Sequence, residues 1–361
     1  MKKIVVVTRS LGAGGAERVI AQLIDQWAET GHACTLILLE KSPLFYETDK
    51  KVKIIQIGQM HPSGPVDKLL KYRRVRELII SEAPDLVLSL PEEIGIYTIL
   101  SMIGLKTPVF VSERNDPHRM PYKKITRLLR RIAYPMADGI VFQSEKAASF
   151  FPARIRKKSA ILPNPLDERR LPDPWSGERT RRIVTAGRLE PQKNQKLLIS
   201  AFRMIQSRHP EMRLEIYGSG SLRKELEACA AATLEKGTCL FMGADKDLLR
   251  HINDAAVFVL CSDHEGLPNA LLESLACGIP SVTTDYEPGS APEIIKNGIN
   301  GLIVPCGDAQ RLADAVIRLI EDQGLSEQFS QRAAEIRSRL KCTVVAGEWM
   351  SFFESRIRNG M

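Results

Sequence analysis

The sequence predicts an α/β fold in which two doubly wound domains face each other across a cleft, and three observations predict it. At 361 residues the chain is longer than one ordinary core supports and suits two domains of similar size. Short Val- and Ile-rich runs alternate with longer amphipathic stretches through both halves, the pattern of repeated βαβ units. Between the halves, residues 162–182 carry four prolines among many charges. Proline lacks a hydrogen-bond donor and the residue before it avoids helix, so this stretch reads as a connection. The expected organisation is an N-terminal domain over 1–165, a linker over 166–182, a C-terminal domain over 183–343 and a closing helix over 344–361 that packs back on the first domain.

In chain order, the first half offers strands at KIVVVT (3–8), CTLILL (34–39), VKIIQI (52–57), DLVLSL (85–90), PVFVSE (108–113) and GIVFQS (139–144). Several are apolar on consecutive residues, which suits strands covered on both faces, as in a parallel sheet. The second half repeats the pattern with IVTAG (183–187), RLEIYG (213–218), CLFMG (239–243), AVFVLCS (256–262), PSVTT (280–284) and GLIVP (301–305).

Composition is that of an ordinary folded protein, 44% hydrophobic and 26% charged. Lys2 and Lys3 precede only four strongly apolar residues, so no export signal is expected. No run approaches the ~20 apolar residues that span a bilayer. The seven cysteines form no CxxC pair and are odd in number, which argues against a disulfide framework or a zinc site and favours a reducing cytoplasm. Residues 1–170 hold 28 Lys+Arg against 18 Asp+Glu, and the remainder 23 against 25. The first half therefore carries the basic excess behind the net +8 and is expected to meet an anionic partner.

Four loops carry the chemistry. After the first strand, SLGAGGAER (10–18) resembles a dinucleotide turn, but counting from Gly12 puts Gly14 third and Glu17 sixth, so the fingerprint is incomplete. Gly14 and Gly15 still open a helix, AERVIAQLIDQW, whose free N–H groups favour a phosphate. GRLEPQKN (187–194) follows IVTA and offers Arg188 and Lys193, a planar fork and a point charge suited to a diphosphate. Gly218 and Gly220 after RLEIY let backbone approach a ligand closely. In EGLPNALLE (265–273), Gly266 permits a turn, Pro268 fits the first helical position, and the helix closes at Gly278 and Pro280. Its N-terminus at the end of a strand is an anion site, with Glu265 in the loop and Glu273 in the second turn placed to reach two ends of a ligand.

GAGGAER (12–18), SERNDP (112–117), PNP (163–165), GRLEPQKN, YGSGSLR (217–223) and EGLPNALLE before LACGIP (275–280) together resemble the retaining nucleotide-sugar glycosyltransferases of family four, whose GT-B fold pairs two Rossmann-like domains. The resemblance runs in order along nearly the whole chain and implies how the loops work. Arg188 and Lys193 hold the donor pyrophosphate and stabilise the departing nucleoside diphosphate, Glu265 contacts the sugar hydroxyls and Glu273 the ribose. Gly14, Gly15, Gly218, Gly220, Gly266, Leu267, Pro268 and Asn269 line the donor. Where many relatives carry a histidine near the transferred sugar, this chain has Arg114 flanked by Glu113, with His118 four residues on. Arginine cannot serve as a general base but can hold a phosphate or a hydroxyl. Glu113 and Arg114 complete the catalytic candidates. No metal and no cofactor are expected, the Asp245–Asp247 pair being the only Asp-x-Asp on a plausible loop.

HRMPYKKITRLLRRIAYP (118–135) is a basic amphipathic helix. On a helical projection Tyr122, Ile125, Leu128, Leu129 and Ile132 form one stripe, expected to pack into the domain. Lys123, Lys124, Arg127, Arg130 and Arg131 face the other way. The basic face is expected to meet anionic lipid headgroups, with KLLKYRRVR (68–76) as a second cluster. The function expected is transfer of a hexose or N-acetylhexosamine from a nucleotide diphosphate sugar, UDP-linked by the frequency among relatives, to a lipid-linked glycan. The site of action would be peripheral, on the inner face of the cell membrane, with no nucleic-acid partner. Three rivals stay open: a nicotinamide dehydrogenase with Glu40 as its ribose-binding acid, a sugar-nucleotide epimerase of the same fold, and a non-catalytic nucleic-acid or membrane binder.

Overall fold

The computed structural model describes residues 1–12 and 14–360, without the side chains of the last two. The polypeptide forms two units, Met1–Pro165 together with the segment from Leu340 onward, and Leu166–Arg339.

In the first unit the order is β1 (Lys3–Thr8), α1 (Gly15–Glu29), β2 (Ala33–Leu38), β3 (Lys53–Gln56), α2 (Gly64–Glu82), β4 (Leu86–Ser89), α3 (Glu92–Ser101), β5 (Val109–Ser112), α4 (Lys124–Ala133), β6 (Gly139–Phe142), α5 (Glu145–Ser149), α6 (Ala153–Arg156) and β7 (Ser159–Ile161). The strands lie in the order β3-β2-β1-β4-β5-β6-β7. Every pairing is parallel, with Val6 opposite Leu36 on one side and Leu88 on the other. The consecutive apolar residues of β1 are explained by where they point. Ile4 and Val6 join one hydrophobic cluster, with Trp27, Trp349 and Phe353, while Val5 and Val7 join another, with Ile79, Ile96 and Tyr134. Alternate side chains serve opposite faces, and both faces are covered. The strand absent from the sequence reading is β7. It has three half-buried residues, next to Lys157 and Lys158, too few to carry a periodicity.

In the second unit follow β8 (Thr180–Ala186), α7 (Gln195–Arg208), β9 (Arg213–Tyr217), α8 (Arg223–Thr233), β10 (Cys239–Gly243), α9 (Leu248–Ile252), β11 (Ala255–Leu260), α10 (Asn269–Ala276), β12 (Ser281–Thr284), α11 (Ala291–Ile294), β13 (Leu302–Val304), α12 (Ala309–Glu321), α13 (Gln323–Ala334) and α14 (Ile336–Arg339). The sheet order is β10-β9-β8-β11-β12-β13, again parallel throughout. The stretch expected as a linker is anchored inside this unit, because its carbonyls are bound: Asn253 Nδ2 donates to Asp173 O at 2.8 Å and Arg337 Nη1 to Pro172 O at 2.7 Å.

The last helix, α15 (Cys342–Gly360), returns to the first unit. It buries Val345, Trp349 and Phe353 beside α1, and Trp27 Nε1 donates to Ala346 O at 3.1 Å.

Candidate active site

In a doubly wound sheet, ligands bind beyond the carboxyl ends of the strands where the order reverses. In the second unit that point lies between β8 and β11, and the loops following these two strands are GRLEPQKN and the segment through Glu265. They are stitched together. Asn194 Nδ2 donates to Asp263 Oδ1 at 2.8 Å, Asp263 N to Gln192 O at 2.9 Å, and Gln192 Nε2 to His264 O at 2.8 Å. The result is an ion pair between Lys193 and Glu265, with Ser262 Oγ donating to the same Glu265 oxygen at 2.7 Å. Arg188 stays exposed and reaches Gln192 Oε1 at 3.4 Å, while Gln192 Nε2 lies 3.5 Å from Glu265 Oε2. The amide thus links the outer cation to the inner pair. Arg188, Lys193 and Glu265 are brought together; Gln192 and Ser262, which join them, are ordinary polar residues that no spacing rule singles out.

Pro268 sits one position earlier than expected, as the cap of α10 with extended φ −75° and ψ 110°, so that Asn269 is the first helical residue. Gly266 O accepts from Ser290 Oγ at 2.6 Å, which fixes the turn ahead of Leu267. Glu273 is buried in the second turn. The helix closes at Gly278, in the left-handed region at φ 69°. Asp245 is committed locally, accepting the Asp247 N–H at 2.8 Å and contacting His251 Nδ1 at 2.5 Å, which raises the pKa of that imidazole.

Gly218 and Gly220 have a structural role. Gly218 adopts φ 130°, and a Cβ there would stand 1.9 Å from Gly187 O; one on Gly220 would stand 2.3 Å from Leu189 O. The two loops interlock backbone to backbone, Gly187 N donating to Tyr217 O at 3.0 Å and Leu189 N to Ser219 O at 2.9 Å. Gly218→Ala therefore has to push the Arg188 loop aside. A fall of several degrees in the thermal midpoint, with weaker nucleotide binding, is the expected outcome, and an unchanged midpoint would refute the steric argument.

In the first unit the strand order reverses between β1 and β4, beside the glycine-rich turn. Gly14 caps α1 with extended dihedrals, φ −88° and ψ 161°, and Gly15 begins the helix. Ala13, immediately before them, lies outside the described residues. A Cβ on Gly14 would fall 2.1 Å from Glu17 Oε2, so the carboxylate folds back over the helix start.

Two expectations for this unit are corrected. Glu113, a catalytic candidate, is sealed beneath the surface with both oxygens engaged: Arg130 Nη1 donates to Oε1 at 2.7 Å and the Tyr134 hydroxyl contacts Oε2. Burial pushes its carboxyl up to about 7 against the opposing pull of Arg130. It holds the helix α4 and faces no open surface. Arg130, expected on a membrane-facing side, is accordingly buried, and it carries Thr126 and Ala133 inward with it at helical spacing. The amphipathic helix is thereby turned over. The helix is shorter than the expected 118–135, spanning Lys124–Ala133, and its apolar stripe faces outward, with Ile125 59%, Leu128 52% and Ile132 54% exposed and Tyr122, in the bend before it, 74%; only Leu129 of that stripe is half-buried. Lys123, Lys124 and Arg131 are exposed beside it, and Arg127 is half-buried with its guanidinium on the carbonyls of Pro121 and Arg119.

Arg114 is buried, with Nη2 donating to Asn164 Oδ1 at 2.5 Å. Burial lowers its pKa to about 10, with Glu92 opposing. His118 packs edge-on against Phe150, its ring centre 4.6 Å away.

The sequence matches two family models, Glycosyltransferase Family 4 over residues 13–170 and Glycosyl transferases group 1 over residues 172–336. Between them they take in nearly the whole chain and both units. The chain belongs to the family-4 GT-B glycosyltransferases. Among characterised relatives of this glycosyltransferase is the GalNAc-alpha-(1->4)-GalNAc-alpha-(1->3)-diNAcBac-PP-undecaprenol alpha-1,4-N-acetyl-D-galactosaminyltransferase of Campylobacter jejuni, 28% identical over 97% of this chain and 98% of that protein. A second Campylobacter jejuni protein, the N-acetylgalactosamine-N,N'-diacetylbacillosaminyl-diphospho-undecaprenol 4-alpha-N-acetylgalactosaminyltransferase, is 26% identical over 92% and 94%. In fold, the enzyme matches Anabaena HepE, solved in complex with UDP and glucose, with a TM-score of 0.84 at 17% identity over 98% of this chain and all of that one. No helix among the described residues is long and apolar enough to cross a membrane.

Proposed function

We propose that this glycosyltransferase moves a hexose or N-acetylhexosamine from a UDP-sugar to a lipid-linked glycan, with retention of configuration and without a metal. The observation that carries the reading is the Lys193–Glu265 pair at the strand-order reversal of the second unit, with Arg188 tied to it through Gln192. Cleaving the bond between an anomeric carbon and a diphosphate builds negative charge on the leaving oxygen. Cations already held in place stabilise that charge with little reorganisation. Lys193 and Arg188 are those cations, and the N-terminus of α10 adds its N–H groups. Glu265 takes the sugar hydroxyls, and Glu273 the ribose. The names of the two Campylobacter relatives support an acceptor on a diphospho-undecaprenol lipid, and the UDP complex of HepE supports the nucleotide. A saturation-transfer NMR screen of UDP-, GDP- and ADP-sugars tests the donor. Contact with a UDP-sugar that survives EDTA supports the reading, and contact with none of them ends it.

Work on a lipid-linked acceptor calls for a membrane surface, and α4 supplies one. The outward stripe of Ile125, Leu128 and Ile132, extended by Tyr122 just before the helix and flanked by Lys123, Lys124 and Arg131, has the make-up of a helix that lies in the headgroup region with its apolar side down. Arg130 belongs to the interior and is no part of this contact. Co-sedimentation with vesicles containing anionic lipid should exceed that with neutral vesicles at matched ionic strength. The double change Ile125→Ser with Leu128→Ser should remove most of it, since each buried apolar side chain contributes ~1.5–3 kcal/mol. Equal recovery from both vesicle types by both proteins would contradict the assignment.

A further inference from the structure

At the carboxyl edge of the first sheet, where the strand order reverses between β1 and β4, three charged side chains meet that the donor site does not use. Arg9 directly follows β1, Glu93 lies in the first turn of α3 after β4, and Lys68 comes from the second turn of α2. They converge on one carboxylate: Arg9 Nη2 lies 3.5 Å from Glu93 Oε2, and Lys68 Nζ lies 3.4 Å from Glu93 Oε1. Glu93 and Tyr97, four residues apart, share a face of α3. The Lys68 ammonium is seated on both, 3.4 Å from the centre of the Tyr97 ring, and that ring packs on Tyr72 at 5.3 Å.

Two features separate this cluster from a settled ion pair. The contacts are long beside the about 2.7–2.9 Å of a good charge-assisted bond, and the side chains are open to solvent, Arg9 51%, Lys68 40% and Glu93 31% exposed. The charge is also unbalanced, because two cations share one carboxylate. Asp67, next to Lys68 in the chain, is committed to Lys71 at 2.8 Å and to the N–H groups of Met60 and His61. An anion reaching this crevice finds two accessible cations, loosely held by one acid that it can displace. A diphosphate has oxygens enough to meet a guanidinium and an ammonium together.

Beside Lys68, α2 turns apolar residues outward, Val66 at 40% and Leu69 at 71% exposure. Apolar surface next to a cation pair suits an anion joined to a hydrocarbon chain. The cluster also lies on the side of the sheet that carries α4, since Tyr72 and Val75 of α2 and Ala133 of α4 share one hydrophobic cluster.

Resting on the glycosyltransferase reading above, we infer that Arg9 and Lys68 bind the diphosphate of a prenyl-linked acceptor, with Val66 and Leu69 beneath the start of its chain. Glu93 is the internal anion that occupies the two cations until the acceptor displaces it, and Tyr97 is a positioning residue that holds Lys68 in place.

Titration calorimetry on the whole protein tests this with geranyl diphosphate and inorganic diphosphate as probes, in saturating UDP so that the cations of the second unit are already occupied. Geranyl diphosphate should bind the wild type about tenfold more tightly than inorganic diphosphate. Arg9→Gln and Lys68→Gln should each weaken it about tenfold. Glu93→Gln, which keeps the shape of the side chain and removes the competing charge, should tighten it; an ion pair with a structural role only would give no such gain. Leu69→Ser should erase the preference for the geranyl compound. Equal affinity of the wild type, Arg9→Gln and Lys68→Gln overturns the inference, as does unchanged or weaker binding by Glu93→Gln, or binding of neither probe. Equal affinity of the two probes for the wild type would assign the cations to free diphosphate and overturn the lipid-linked assignment. A wild type that does not bind UDP strikes the donor reading alone, because the differences among these variants report on the first unit either way.

Discussion

Lys193→Ala should lower turnover by ~10²–10³, the loss that follows removal of one preorganised group from a developing oxyanion, or about 2.7–4 kcal/mol in the barrier. The structure gives a reason to expect the upper part of that range. Lys193 is the charge partner of Glu265, and Glu265 is buried. Taking away the ammonium leaves a carboxylate with Ser262 and Gln192 as its remaining donors, at 2.7 Å and 3.5 Å. The variant loses stabilisation of the leaving diphosphate and also acquires an uncompensated negative charge where that diphosphate must sit. Both effects act in the same direction. Arg188→Ala removes an exposed cation with one weak contact and should cost less, though still at least about tenfold. Turnover at the wild-type level in a folded Lys193→Ala protein would remove the leaving-group role from this loop.

Arg130→Ala should destabilise the first unit by about 3–5 kcal/mol, because breaking a buried pair from one side leaves the other charge without compensation. For a unit of this size that corresponds to a fall of on the order of 10 °C in the thermal midpoint. Glu113 has no other cation within hydrogen-bond reach among the described residues, and Arg130 also donates to the carbonyls of Met120 and Pro117, both at 2.9 Å. The pH dependence carries a definite sign. The Glu113 carboxyl is raised in the folded protein to about 7, above its unfolded value of 4.5, so its contribution is intact below 4.5 and is lost as pH rises through about 7. Without Arg130 the folded value climbs further and the loss extends to higher pH. The variant should therefore differ from wild type more at pH 8 than at pH 5. A difference independent of pH would assign the loss to packing against Phe150 and Phe151, over whose rings the guanidinium lies at 5.0 Å and 5.1 Å.

How far such features can be read from the chain depends on the range of the interaction that sets them. Parallel strands covered on both faces advertise themselves as consecutive apolar residues, which is why β1, β4 and β11 are visible in Ile4–Val7, Leu86–Leu88 and Val257–Leu260. The loops at Arg188 and Glu265 are visible because they follow such strands directly. The facing of α4 is not visible. A helical projection assigns the apolar stripe to the interior by default, and here one long-range pair, Arg130 with Glu113, outweighs that default and turns the stripe outward. Gln192 and Ser262 are silent for a related reason: their importance lies in which loop each bridges, and nothing in their type or spacing records it. The glycines at 218 and 220 carry a real signal of close approach, and what approaches is the backbone of residues 187–189.

The most direct measurement is a crystal structure of the enzyme with a bound UDP-sugar. The diphosphate should lie against Lys193 and Arg188 at the start of α10, with Glu265 released from Lys193 and turned to the hydroxyls of the sugar. A diphosphate bound elsewhere, with the Lys193–Glu265 pair undisturbed, would contradict it.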